Sequence, residues 1–234
     1  MEIRNDCSTL PKGTLRHIER CLSWVYPPDL QGIAFIRLID KLPPDVLLEL
    51  KQYKLPNKLR GTLGFYVPTT GGRPPYIAMH VPKILRGVPR WCLRTTVPTL
   101  LFARVLAHEV GHHLISVRGY ALHPGERPRR RHGDYEEEMV DRYAFEVLRK
   151  MKTRWRYRFG QWLIGHMAEW HFAEGRVDWE RKDYKQCAER LLKAVNLNPD
   201  FDDARQAYWM AIEQVEKRRT GKSKFKLATN GNES

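Results

Sequence analysis

The pentapeptide His108-Glu109-Val110-Gly111-His112 constrains this chain more than any other feature, because it lies inside an apolar run, VPTLLFARVLAHEVGHHLISV (97–117). Pro98 and Thr99 suit a helix start, and Leu101, Val105, Leu106, Val110 and Leu114 recur at helical spacing. On a helix, residues four apart stack on one face, about 6 Å apart along the axis. Burying His, Glu and His in such a helix without a partner is costly. Two imidazoles so placed can instead converge on one metal ion, with ligand distances of about 2.0–2.1 Å for zinc. Glu109, one residue round, can reach a water at the metal as a general base without being a ligand. Gly111 weakens a helix by about 1 kcal/mol relative to Ala, so its presence predicts the close approach of another backbone. His113 points away from the pair and is expected to be an ordinary core or surface histidine.

A hydrolytic zinc needs a third protein ligand and one open position. Glu137 is the first candidate. It stands four residues before Asp141, so one carboxylate can bind the ion while the other orients a ligand histidine through its free N–H. Glu138, His123 and His132 are the alternatives, and the bland reading of Glu136, Glu137 and Glu138 is a solvated acidic face. A further donor to the oxyanion is expected, with His132, Tyr120 and Tyr143 as candidates that the sequence does not rank.

HEVGHH followed by Glu137, Asp141, Tyr143 and Ala144 resembles the ImmA/IrrE family of zincin-type metallopeptidases, and more loosely the gluzincins. The resemblance spans roughly residues 60–150. It implies a zinc metallopeptidase with Zn2+ on His108, His112 and Glu137, Glu109 as catalytic base and Asp141 behind a ligand. It further implies an α+β zincin-like domain in the cytoplasm, acting on a protein or peptide substrate. The strand PYIAMHVP (75–82) would resemble the edge strand along which zincins lay their substrates. The sequence departs from the family at Val140, where Ala is usual, and after Ala144, where the Leu-Met-Pro ending is missing. A SprT-like, DNA-associated protease with a histidine third ligand, and a non-enzymatic adaptor with a structural zinc, are the alternatives.

Elsewhere, GTLGFYVP (61–68) and PYIAMHVP flank a Gly-Gly turn signal and predict a hairpin in a small sheet with an antiparallel edge. GIAFIRLI (32–39) is a buried strand or a short apolar helix; periodicity does not decide. Asp134 is read as the N-cap of a helix over 135–151, with Glu137 as its capping-box partner. The apolar spacing Met139, Tyr143, Val147, Met151 continues through Trp155, Phe159 and Trp162, with breaks predicted near Gly160 and Gly165. The stretch DYKQCAERLLKAVNLNPDFDDA (183–204) looks like the second helix of a tetratricopeptide repeat. Tyr184, Cys187, Leu191, Ala194 and Pro199 are its packing positions and Gly175 lies upstream. The domain reading is a metallopeptidase domain over 1–150, an all-α, tetratricopeptide-like extension over 151–217, where a protein partner could dock, and a basic, disordered tail over 218–234.

A formal net charge of +14 favours acidic partners. The cations gather in RPRRR (127–131), KMKTRWRYR (150–158) and KRRTGKSKFK (217–226). The second cluster interleaves Arg and Lys with aromatic rings, as a weak, non-specific nucleic-acid surface would. The favoured reading is structural: Met151, Trp155 and Phe159 on a buried stripe and the cations in solvent. Four scattered cysteines predict free thiols, and no stretch is apolar enough to cross a membrane.

Overall fold

A computed structural model describes residues 1–42, 63–69, 72–118 and 132–229; for 132–135 and 219–229 it describes the backbone alone. The chain is α+β. Four strands, β1 (Glu2–Asn5), β2 (Phe35–Ile39), β3 (Gly64–Val67) and β4 (Tyr76–His80), form one sheet in the order β1-β2-β4-β3. β1 and β4 run parallel to β2, and β3 pairs antiparallel with β4. Residues 35–39 of the 32–39 segment are therefore a strand, and the predicted hairpin and antiparallel edge are present. Among the described residues, however, the edge strand on that side is β3. β4 pairs on both sides, so the expectation that PYIAMHVP forms the edge is corrected. Its burial explains the placement: Tyr76 to Met79 are all buried, as an interior strand requires.

The helices are α1 (Thr14–Leu22), α2 (Val81–Ile84), α3 (Val97–Arg118), α4 (His132–Met151), α5 (Trp155–Glu180), α6 (Tyr184–Leu197) and α7 (Asp202–Thr229). α3 is the central helix of the first of two compact units, which comprises Met1–Leu85 and Pro89–Gln161. Its Phe102, Leu106, Val110 and Leu114 are buried. β3, β4, α1 and α4 all pack against it. Gly111 is where α4 comes closest: a Cβ there would lie 3.0 Å from Val140 Cγ1 and 3.1 Å from Val140 Cα. That is the close approach the sequence predicts.

Three readings of the 132–165 stretch change. α4 starts at His132, so Asp134 lies in its first turn and is not its N-cap. The helical break falls at Lys152–Arg154, where Thr153 Oγ1 donates to the Lys150 carbonyl, and not at Gly160 or Gly165, which lie inside α5. Gly160 is flush against α3: a Cβ would come within 2.5 Å of Thr96 Oγ1 and 3.0 Å of Leu100 Cδ1. The break resets the helical phase, so Tyr157 is buried while Trp155 and Phe159 are exposed. The predicted buried stripe ends at Met151.

The second unit comprises Arg86–Val88 and Trp162–Ser234, so the division falls within α5, after the predicted position at residue 150. Within it α6 carries the predicted packing residues Cys187, Leu191 and Ala194 on its buried face, and Tyr184 stands edge-on to Trp179 at 5.0 Å. Gly175 lets α5 meet α6, since a Cβ would lie 3.0 Å from Leu191. Arg190 ties the two helices through Asp178 (3.1 Å) and Glu174 (3.3 Å). Helix α7 continues to Thr229, beyond the point where the polar tail is expected to lose order. Among the described residues no helix is long and apolar enough to cross a membrane, and the four cysteines are free thiols.

Candidate metal centre

The site is assembled by two helices. α3 presents His108 and His112 one turn apart, with ring centroids 4.9 Å from each other. α4, brought against α3 at Gly111, supplies three carboxylates. Glu137 faces both imidazoles, its oxygens 3.5 Å from His108 Nε2 and 3.8 Å from His112 Nε2. The ligand atoms of His108, His112 and Glu137 all lie within 4.8 Å of one another, close enough to hold one metal ion. A tetrahedral ion with ligands at 2.0–2.1 Å separates neighbouring donors by about 3.3 Å, so these residues fit one with small adjustments.

The far ring nitrogens are held too. His108 Nδ1–H donates to Asp141 Oδ1 at 3.0 Å, as the i, i+4 spacing from Glu137 suggests. His112 Nδ1–H donates to Glu136 Oε1 at 3.1 Å. Each bond fixes a tautomer that leaves the Nε2 lone pair directed at the shared point. Sequence reading missed Glu136. The available signal was its place beside Glu137: consecutive helical residues diverge by about 100°, so a neighbour of one ligand can stand behind the other. Glu138 is turned outward to Arg142 at 2.9 Å, the solvated partner of an i, i+4 pair. Burial drives the His108 pKa down, but the Asp141 hydrogen bond and the charges of Glu109, Asp141 and Glu137 outweigh it, leaving the pKa above its ordinary value.

Glu109 is only 5% exposed. Burial raises its pKa, while His108, His112 and a hydrogen bond from the Tyr66 N–H act in the opposite direction. That N–H belongs to β3, which lies directly on α3: a Cβ at Gly64 would meet Val105 Cγ1 at 2.6 Å and Glu109 Cγ at 3.3 Å. Behind it, His113 is buried, the core alternative of its two sequence readings, and locks β3 in place. Its Nε2–H donates to the Gln31 carbonyl at 2.8 Å, and Nδ1 accepts from the Tyr66 hydroxyl at 3.1 Å.

Tyr143 is occupied elsewhere. Its hydroxyl donates to Asp29 at 2.8 Å, and Arg118 completes that carboxylate at 3.2 Å. Burial and the adjoining carboxylate push the Tyr143 pKa far up, so it keeps its proton for Asp29 and is removed as an oxyanion donor. The other two candidates, Tyr120 and the side chain of His132, lie outside what is described, as do His123 and the RPRRR cluster. Comparison of the chain with protein-family models, with curated proteins and with solved structures gives no match.

Proposed function

We propose that the chain is a zinc-dependent metallopeptidase of zincin type that cleaves peptide bonds of a protein substrate. The observation that carries this reading is the pairing of a His108–His112–Glu137 cluster with a buried carboxylate, Glu109, that is not part of it. A purely structural site has no use for such a base. Zinc, when bound, lowers the pKa of a water towards about 7 and polarises the scissile carbonyl.

The chain's own residues divide the remaining work. Glu109 takes the proton of the attacking water and returns it to the leaving amine. Burial, which raises its proton affinity, suits that task, and the Tyr66 N–H fixes its orientation. Asp141 and Glu136 hold the two imidazoles in the ligating tautomer. β3 pairs with β4 on one side, and a substrate strand added along its other edge would run beside Glu109. The motif HEVGHH with Glu137, Asp141, Tyr143 and Ala144 supports kinship with the ImmA/IrrE peptidases. Four free thiols fit the cytoplasm.

Zinc per chain, measured in untagged wild type, Glu137→Ala and Glu109→Gln, tests the reading together with mass-spectrometric cleavage of a peptide library. We expect one zinc in wild type and in Glu109→Gln, and loss in Glu137→Ala. Turnover should fall about a hundredfold or more in Glu109→Gln. A fully active Glu109→Gln removes the base assignment. Full zinc in Glu137→Ala moves the third ligand to His123, His132 or Glu138, and a metal-free wild type favours the adaptor.

A further inference from the structure

Between Glu146 and Glu169 the chain has no carboxylate side chain but six cations: Arg149, Lys150, Lys152, Arg154, Arg156 and Arg158. Arg149 pairs with Glu146 at 3.1 Å, and the other five make no ion pair among the described residues. An ordinary solvated helix interleaves charges of both signs at i, i+4 spacing. This one does not.

This stretch and the residue just before Glu146 expose aromatic rings. Trp155 is 80% exposed, Phe145 57% and Phe159 53%. At about 100° per residue, Trp155, Arg158 and Phe159 share one face of α5, roughly opposite Tyr157 and Gly160, which meet the unit's interior. The exposed rings are therefore not the edge of a core. The guanidinium groups are held by rings and not by carboxylates: Arg154 lies over Trp24 at 5.1 Å and Arg156 over Tyr157 at 5.0 Å, while the Lys152 amine stands 5.6 Å from the Phe145 ring. Such contacts position a guanidinium while leaving its N–H donors available.

We propose that the Lys152–Phe159 surface binds single-stranded nucleic acid, with Trp155 as a stacking platform for a base and Arg154, Arg156 and Arg158 on the phosphates. A base presents a π-face to Trp155 only when it is unpaired, so the exposed ring favours a single strand over a duplex. An acidic peptide would use the cations and leave the ring idle. A membrane surface calls for a continuous apolar face with cations on the other; here Arg158 shares one face with Trp155 and Phe159. This inference does not rest on the metal centre.

The test is fluorescence anisotropy with labelled oligothymidylate of about 15 nucleotides, near the upper single-site size for such proteins. It uses the full chain, at salt from about 50 to 200 mM. Trp155→Ala should weaken binding about tenfold, with Trp155→Phe close to wild type. Each of Arg154→Gln, Arg156→Gln and Arg158→Gln should reduce the slope of log affinity on log salt by about 0.7. Circular dichroism checks that the variants fold, which the exposure of Trp155 favours. The proposal is overturned if the oligonucleotide does not bind at the lowest salt. It is equally overturned if Trp155→Ala binds as wild type, if duplex competes as well as the single strand, or if only phosphatidylserine vesicles are captured.

Discussion

Glu136 and Glu138 flank Glu137 and share the same chemistry, yet only one of them touches the candidate site. Glu136 accepts from His112 Nδ1, while Glu138 pairs with Arg142 in solvent. Carboxylates that hold a ligand histidine typically matter by about ten- to a hundredfold in metal affinity. Glu136→Ala and Asp141→Ala should each weaken zinc to that extent in competition with a chelating dye, and Glu138→Ala should leave it unchanged. Equal affinities for Glu136→Ala and Glu138→Ala would show that the Glu136 contact does not tune the ligand. Proton competition has a definite sign here. His108 must be neutral to ligate, and its pKa lies above the ordinary 6.5. Zinc affinity should therefore decline as the pH falls through neutrality, with protons released on binding.

At the scale of elements, the distance between α3 and α4 is set by one missing side chain. Gly111→Ala gains about 1 kcal/mol of helix propensity. The new methyl, however, meets Val140 at Cγ1 and at backbone Cα, a contact that flexible atoms alone do not relieve. Overpacking of this kind costs about 1–3 kcal/mol. Net destabilisation should follow in thermal melts, with weaker zinc binding because α4 carries Glu137. Val140→Ala in the same chain should restore part of both, and a Gly111→Ala variant with unaltered zinc affinity would refute the coupling.

Much of this element layer was legible: α3, the β3–β4 hairpin and α6 follow from apolar spacing and turn residues. What was not legible depends on contacts across the fold. β1 reads EIRN, three of its four residues exposed or charged, and gives no apolar pattern. β3 and β4 look alike in sequence, and only the parallel partner β2 makes β4 interior. Trp155 and Phe159 follow Met151 at helical spacing, but Thr153 interrupts the helix and turns them outward. At the site, His108, His112 and Glu109 were fixed by one helix alone, whereas Glu136 depends on how a second helix is rotated against the first.

Among the described residues, each compact unit holds a buried histidine whose pKa lies below the ordinary value. In the first, His17 Nε2–H donates to the Leu93 carbonyl at 3.1 Å and Nδ1 accepts from Thr99 at 2.7 Å. In the second, His171 Nε2–H donates to the Gly87 carbonyl at 3.3 Å. Burial lowers both pKa values below 6.5, against the opposing backbone bond. The folded state therefore takes up a proton less readily than the unfolded chain. The stability each histidine contributes is full above the unfolded pKa and declines as the pH falls below it towards the folded value. In chelated protein His108 and Glu109 work the other way, because their pKa values are raised: their contribution is present at low pH and lost as the pH rises. The two effects mask one another in a simple melt. Subtraction separates them, because His17→Gln and His171→Gln leave His108, His112 and Glu137 unchanged. With EDTA present, the denaturation free energy of wild type minus that of each variant should be largest at about pH 8 and shrink towards about pH 5. A difference constant across that range would mean that neither imidazole resists protonation in the fold. A difference that grows on acidification would reverse the assignment and make the histidines charged in the folded state.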